Sequence, residues 1–185
     1  MQPEICQQVN QAYLAHWGEP SGSITFDNPT YLPTPRLYVF VWEAADSDDI
    51  TLFATVGMCC AAMPAAQHRA EINFPVRGQL SNQEISLACR FLANLTAYPF
   101  DNNTHLDWWH KIMSTGPIPH FTGCSSVLLH PKFASSGLDT IQTNEALVKV
   151  LNAVPLLPNE YAIRPVSALI EYFEEHDIDL FSPRI

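Results

Sequence analysis

Basic residues are scarce in this chain: nine Lys and Arg stand against nineteen Asp and Glu, a formal charge of −10. A nucleic-acid partner needs a cationic footprint to neutralise phosphates, so that class is excluded. An anionic membrane surface is excluded on the same ground. No apolar run approaches the eighteen or so residues that span a bilayer. The start, MQPEICQQVN, lacks the basic and apolar regions of a signal peptide. Glycine is also sparse, at seven residues, and no Gly-x-Gly or Gly-Lys-Ser/Thr run is present to cradle a phosphate. Charged residues of both signs make up only 15% of the chain, against about a quarter in ordinary soluble domains. Much of the surface is therefore neutral or apolar, and some of it is available for contact. The five cysteines (Cys6, Cys59, Cys60, Cys89, Cys124) are odd in number and lack framework spacing. They are expected to be free, mostly buried thiols in a reducing cytoplasm.

Hydrophobic residues reach 47% and aromatics 11% of the 185 residues, enough for one packed domain without a disulfide or metal. Ile5, Val9, Ala12, Tyr13 and His16 recur at spacings of three and four, which predicts an amphipathic helix over 4–17 stopped by Gly18 and Pro20. Residues 19–35 contain four prolines and read as an extended connection with little regular structure. RLYVFVWE (36–43) and ITLFATV (50–56) predict strands joined through the turn residues 46–49. RAEINFPV (69–76) alternates, placing Ala70, Ile72 and Phe74 inward and Glu71 and Asn73 outward on a half-exposed strand. Ser81 and Glu84 form a capping box for a helix running to Tyr98. Thr104 and Asp107 suggest a short helix ahead of Trp108 and Trp109. Residues 114–123 read as loop, 126–130 and 148–157 as strands, and a last helix starts at or before Pro165. With no repeating βαβ unit, the order predicts an α+β domain: a mixed, mostly antiparallel sheet packed with helices.

Several constellations bear on chemistry. Gly57-Met58-Cys59-Cys60-Ala61 follows a strand as a nucleophile turn would, but the second glycine of that motif is replaced by Ala61. A hydrolase using Cys59 stands as an alternative. His105, His110, His120, Cys124 and His130 match no zinc spacing, so no metal and no cofactor is expected. Glu174 and Glu175 are adjacent and point to different helix faces, which makes them poor acid–base partners. Two adjacent tryptophans cannot both enter a core from one short element. Either one of Trp108 and Trp109 is an exposed anchor, or both wedge between helix and sheet. Acids concentrate at both ends: residues 1–60 hold seven against Arg36, and 121–185 hold eight against four bases. These zones form one face or two. The candidate contact residues are Trp42, Asp46, Asp48, Asp49, Trp108, Trp109, Glu174 and Glu175.

ATVGMCCAAM (54–63) and HRAEINFPV (68–76) resemble the Thr-x-Gly-Met turn and Ala-Glu-hydrophobic strand of the suppressor-of-fused domain family. The capped helix, the Trp108-Trp109 pair and VPLLPNEYAIRPVSALIEYFEEHDI (154–178) continue in that family's order, with Pro158, Glu160 and the helix 168–173 fitting its late pattern. The resemblance covers about 36–180, with Cys59 departing from the family's usual Ser. It implies a suppressor-of-fused-like domain over 1–185 that binds another protein rather than catalysing. It further implies the bacterial, single-domain kind, found among immunity proteins that neutralise a toxin domain by binding it. Acidity adds that such a toxin would be basic. A regulatory dimer is the remaining alternative.

Overall fold

The computed structural model describes residues 2–29, 32, 34–135 and 137–184. Helix α1 (Glu4–Trp17) buries Ile5, Cys6, Val9 and Tyr13, and Gly18 ends it at φ 77° with its N–H on Leu14 O. Strands β1 (Gly22–Asp27), β2 (Arg36–Trp42), β3 (Ile50–Val56) and β4 (Arg69–Arg77) follow. Then come α2 (Asn82–Asp101), β5 (Lys111–Ile112), β6 (Ser126–His130), β7 (Thr140–Gln142) and β8 (Leu147–Leu156). The short α3 (Pro158–Ala162) and α4 (Val166–Glu175) close the chain. Strands pair in the order β1-β2-β3-β4-β8-β6-β5, with β7 also on β8. Every pairing is antiparallel except β4 with β8.

Strand alternation sorts the core onto two faces. Leu37, Val39 and Val41 of β2 join Phe53, Ile72 and Phe74 beneath α2. Tyr38, Phe40 and Trp42 point the other way and pack with α1. Further along that second face, Leu128, Val154 and Leu156 receive Leu169 and Phe173 of α4. Helix α2 starts on the expected box: Ser81 N–H donates to Glu84 Oε2 at 2.8 Å, and Glu84 N–H to Ser81 Oγ at 3.3 Å.

Four expectations are corrected. The strand 69–76 is not half-exposed: β4 lies in the middle of the sheet, and Glu71 and Asn73 are 0% and 1% exposed. Alternation of polar and apolar residues mimics a solvated face when the polar ones are satisfied inside. The segment 19–35 contains β1, whose pattern is mostly exposed and whose partner β2 supplies the pairing; Thr30, Tyr31 and Pro33 lie outside the described residues. No helix begins at Thr104 or Asp107. Asp107 Oδ1 instead accepts Trp108 N–H at 2.7 Å, and Trp109 takes φ 69° in a turn. The cysteines are not all free, since Cys6 and Cys60 form a disulfide while Cys59, Cys89 and Cys124 remain buried thiols.

The motif residues 55–58 and 70–71 meet in one buried polar node. Glu71 accepts from Thr55 Oγ1 at 2.6 Å, Gly57 N–H at 2.8 Å and Cys59 N–H at 3.0 Å. Thr55 Oγ1 in turn accepts Ile72 N–H at 2.8 Å. Gly57 has φ 136°, and a Cβ there would lie 2.6 Å from Arg36 O. Only glycine fits. Met58 is fully buried under the same turn. Burial raises the Glu71 carboxyl above its ordinary value, and the hydrogen bonds from Thr55, Cys59 and Gly57 oppose that only in part.

Candidate interaction surface

The turn 107–110 is stitched to β6, with Trp109 N–H on Leu129 O at 2.6 Å and Leu129 N–H on His110 O at 2.9 Å. This separates the two tryptophans. Trp108 turns inward, packs against the α2-side core and donates Nε1–H to Val150 O at 3.1 Å. Lys149 Nζ lies 4.5 Å from the Trp108 ring centroid and 2.6 Å from Asp107. Trp109 turns outward and is 41% exposed.

Trp109 begins a line of aromatic rings. It meets His130 edge-on at 4.7 Å, His130 stacks on Phe133 at 4.6 Å and 8°, and Phe133 meets Phe181 at 4.8 Å and 90°. His130 is the last residue of β6 and lies across from Asn152, whose Nδ2 donates to the His130 and Pro131 carbonyls. Burial pushes the His130 imidazole down to about 4, so it stacks as a neutral ring at physiological pH. Phe133, at 37% exposure, is open like Trp109.

The line ends in charge. Phe181 O accepts Arg77 N–H at 2.8 Å, and the Arg77 guanidinium lies 5.9 Å from the Phe181 ring. Arg77 pairs with Asp179 and also donates to Asp48 O. One residue from each acidic zone, Asp48 through its carbonyl and Asp179 through its carboxylate, therefore meets at Arg77, the C-terminal end of β4. Partial burial raises the Asp179 carboxyl, but bonds from Arg77, Ser182 Oγ and Phe181 N–H outweigh it and hold it down to about 2. Asp46 and Asp49 shape the β2–β3 connection: Asp46 Oδ1 accepts the N–H of Asp48 and Asp49, and Asp49 accepts those of Ala45 and Ile50.

Of the eight candidate residues, Trp109, Asp46, Asp48 and Asp49 belong to this surface or border it. Glu174 and Glu175 are exposed at the end of α4, which leads through Asp177 to Asp179. Trp42 lies elsewhere, its ring 5.3 Å from Trp17 and its Nε1–H on Gly18 O, as part of the seat of α1. Trp108 is an internal support. His130, Phe133, Arg77 and Phe181 were missed because their contacts join residues distant in the chain. His105 and His110 rings are 5.2 Å apart, while His120 lies against Glu84 and His130 in the aromatic line, so the histidines do not gather into one ligand set. Cys59 is fully buried, and burial and Glu71 push its thiol far above the ordinary value, opposite to what activates a nucleophile.

Glu160, from the late motif, is 1% exposed and ties the C-terminal segment down. Arg184 reaches it twice, at 3.1 and 3.0 Å, while Leu157 N–H donates to Glu160 Oε2 at 2.8 Å.

The chain is an α+β domain with helices on both faces of a mixed sheet, and its line of aromatic rings runs to the Arg77–Asp179 pair. The chain belongs to the suppressor of fused protein (SUFU) family, whose model matches residues 33–184. Its fold is similar to that of a SUFU homologue from Neisseria gonorrhoeae, with TM-score 0.71 and 13% identity over 97% of this chain and 93% of that one. The Sufu–Fu complex structure gives 0.63 at 12% identity, over 95% and 83% of the two chains. Drosophila Suppressor of Fused gives 0.56 at 11% identity, over 85% of this chain and 42% of that protein. At these identities the likeness is one of fold, a fold commonly used as a protein-interaction domain. No match was found among curated proteins. Among the described residues no helix is long and apolar enough to cross a membrane.

Proposed function

We propose that this chain is an immunity protein that neutralises a cognate toxin domain by direct binding in the cytoplasm. The observation that carries the reading is the ridge Trp109–His130–Phe133–Phe181, with two open aromatic rings, ending at the Arg77–Asp179 pair. Exposed aromatics are the residue types that anchor interfaces. The net charge of −10 steers a basic partner toward them. A family member crystallised in complex with Fu supports protein binding as the mode.

The test is affinity capture with the tagged wild-type protein and with Trp109→Ala/Phe133→Ala, followed by titration of the captured partner at low and high salt. Loss of an anchor ring is expected to cost about 2 kcal/mol or more, some thirtyfold in Kd. Salt is expected to slow association. Affinity indifferent to both the double substitution and salt overturns the reading.

A further inference from the structure

Three sulfurs far apart in sequence meet between α1 and the turn after β3. Cys6 and Cys60 are bonded, Cys59 Sγ lies 3.7 Å from Cys6 Sγ, and all three lie within 4.8 Å of one another. Among the described residues no other three metal-ligating side chains gather this closely. Two sulfurs suffice for a disulfide, and the third, Cys59, stands beside them in the buried core beneath α1. A cavity of about 630 Å³ reaches the cluster at Cys6, which lines it with Pro3, Asp27, Asn28, Arg36 and Tyr38.

We propose that, once a dithiol reductant has opened the Cys6–Cys60 bond, Cys6, Cys59 and Cys60 together bind trivalent arsenic or antimony. Reduction exchanges the protein disulfide for that of the reductant and yields two thiols. The trihydroxide As(OH)3 then condenses with three thiols: three As–O bonds break, three As–S bonds form, and three waters leave, each carrying one thiol hydrogen. No charge or oxidation state changes in this second step. Soft thiophilic centres select sulfur ligands, and neutrality chooses among them. Cys6 and Cys59 are 1% and 0% exposed, and Cys59 N–H is 3.0 Å from the Glu71 carboxylate. A thiolate complex of a mono- or divalent metal would carry net negative charge into that dry setting beside a carboxylate. A neutral tris-thiolate does not. The disulfide thus gates the site, which is closed when oxidised and open in a reducing compartment.

The full chain, reduced with a phosphine under anaerobic conditions, is titrated with sodium arsenite and read by non-denaturing mass spectrometry. One adduct is expected, heavier by one arsenic less three hydrogens, and absent from the oxidised protein. Cys59→Ser is expected to weaken uptake by more than the roughly 10–100-fold that outer-sphere partners carry, whereas Cys89→Ser and Cys124→Ser leave it unchanged. Should the Cys59→Ser substitution prevent folding, Cys6→Ser and the wild-type adduct mass still decide. An adduct that keeps one hydroxyl and has lost two hydrogens, uptake equal in the oxidised form, or binding of Cd(II) with none of arsenite each overturns the proposal.

Discussion

Replacing Glu71 with alanine tests whether the motif residues act as a single buried node. The carboxylate accepts from Thr55, Gly57 and Cys59, and it is itself fully buried. Alanine leaves two backbone N–H groups enclosed without acceptors, at about 1–3 kcal/mol each. Relief of the carboxylate's own desolvation, seen in its raised pKa, offsets part of this. A net loss of about 3 kcal/mol is expected, which lowers Tm by roughly 6–12 °C in a domain of this size. Glu71→Gln keeps an acceptor oxygen for both N–H groups and is expected to lose less than half as much. The pH behaviour separates the two further. Because the folded carboxyl sits above its unfolded value, the unfolded chain releases this proton first. Stability from the group is complete below the ordinary carboxylate range and declines as pH rises through the folded value. The Gln variant lacks that decline. Urea unfolding followed by tryptophan fluorescence measures all three proteins. An alanine cost below about 1 kcal/mol, or a glutamine cost exceeding the alanine cost, refutes the node.

Gly57→Ala places a Cβ 2.6 Å from Arg36 O at a φ of 136°; a loss above about 2 kcal/mol in urea unfolding is expected. Asp179, held down to about 2, stabilises the fold above the ordinary carboxylate range and ceases to as pH falls toward that value. Asp179→Asn should therefore flatten the acid limb of a Tm-against-pH curve and leave its neutral part lower. Cleaving the Cys6–Cys60 bond, with a sequence separation of 54, is expected to lower stability by about 2–4 kcal/mol, read as a Tm difference with and without reductant.

Periodicity made α1 legible over its full length and the cap of α2 legible from Ser81 and Glu84, because those signals are local. Strands β2, β3, β6 and β8 were legible from β-branched and aromatic runs. The α+β class and mostly antiparallel sheet followed from their order. Strand β1 was hidden because proline flanks it and mostly exposed residues compose it. β7 was hidden because three residues carry no period, and α3 because it is a single turn. The burial of Glu71 could not be read, since a satisfied interior acid and a solvated one look the same in a sequence. At the candidate surface, adjacency left open whether Trp108 and Trp109 diverge or both wedge inward, and contacts with Leu129 and Val150 decide it. The disulfide and the third sulfur beside it depended on α1 docking over the turn after β3, a long-range event that cysteine spacing does not encode.

The parallel pairing of β4 with β8 sets a constraint on how this protein is made. β4 pairs with β3 as soon as the hairpin-like stretch 50–77 has emerged, yet its other edge waits for β8, from Arg69 matched to Val148. During synthesis the segment Arg69–Asn73 of β4 therefore stands as an open sheet edge while α2 and the long loop after it are still being added, at ribosomal rates of about 5–20 residues per second. Long-range parallel pairing is slow to close and prone to misassociation. The nascent chain is thus most vulnerable to aggregation in the interval before residues 147–185 appear. A truncation ending before Leu147 would hold it permanently in that state.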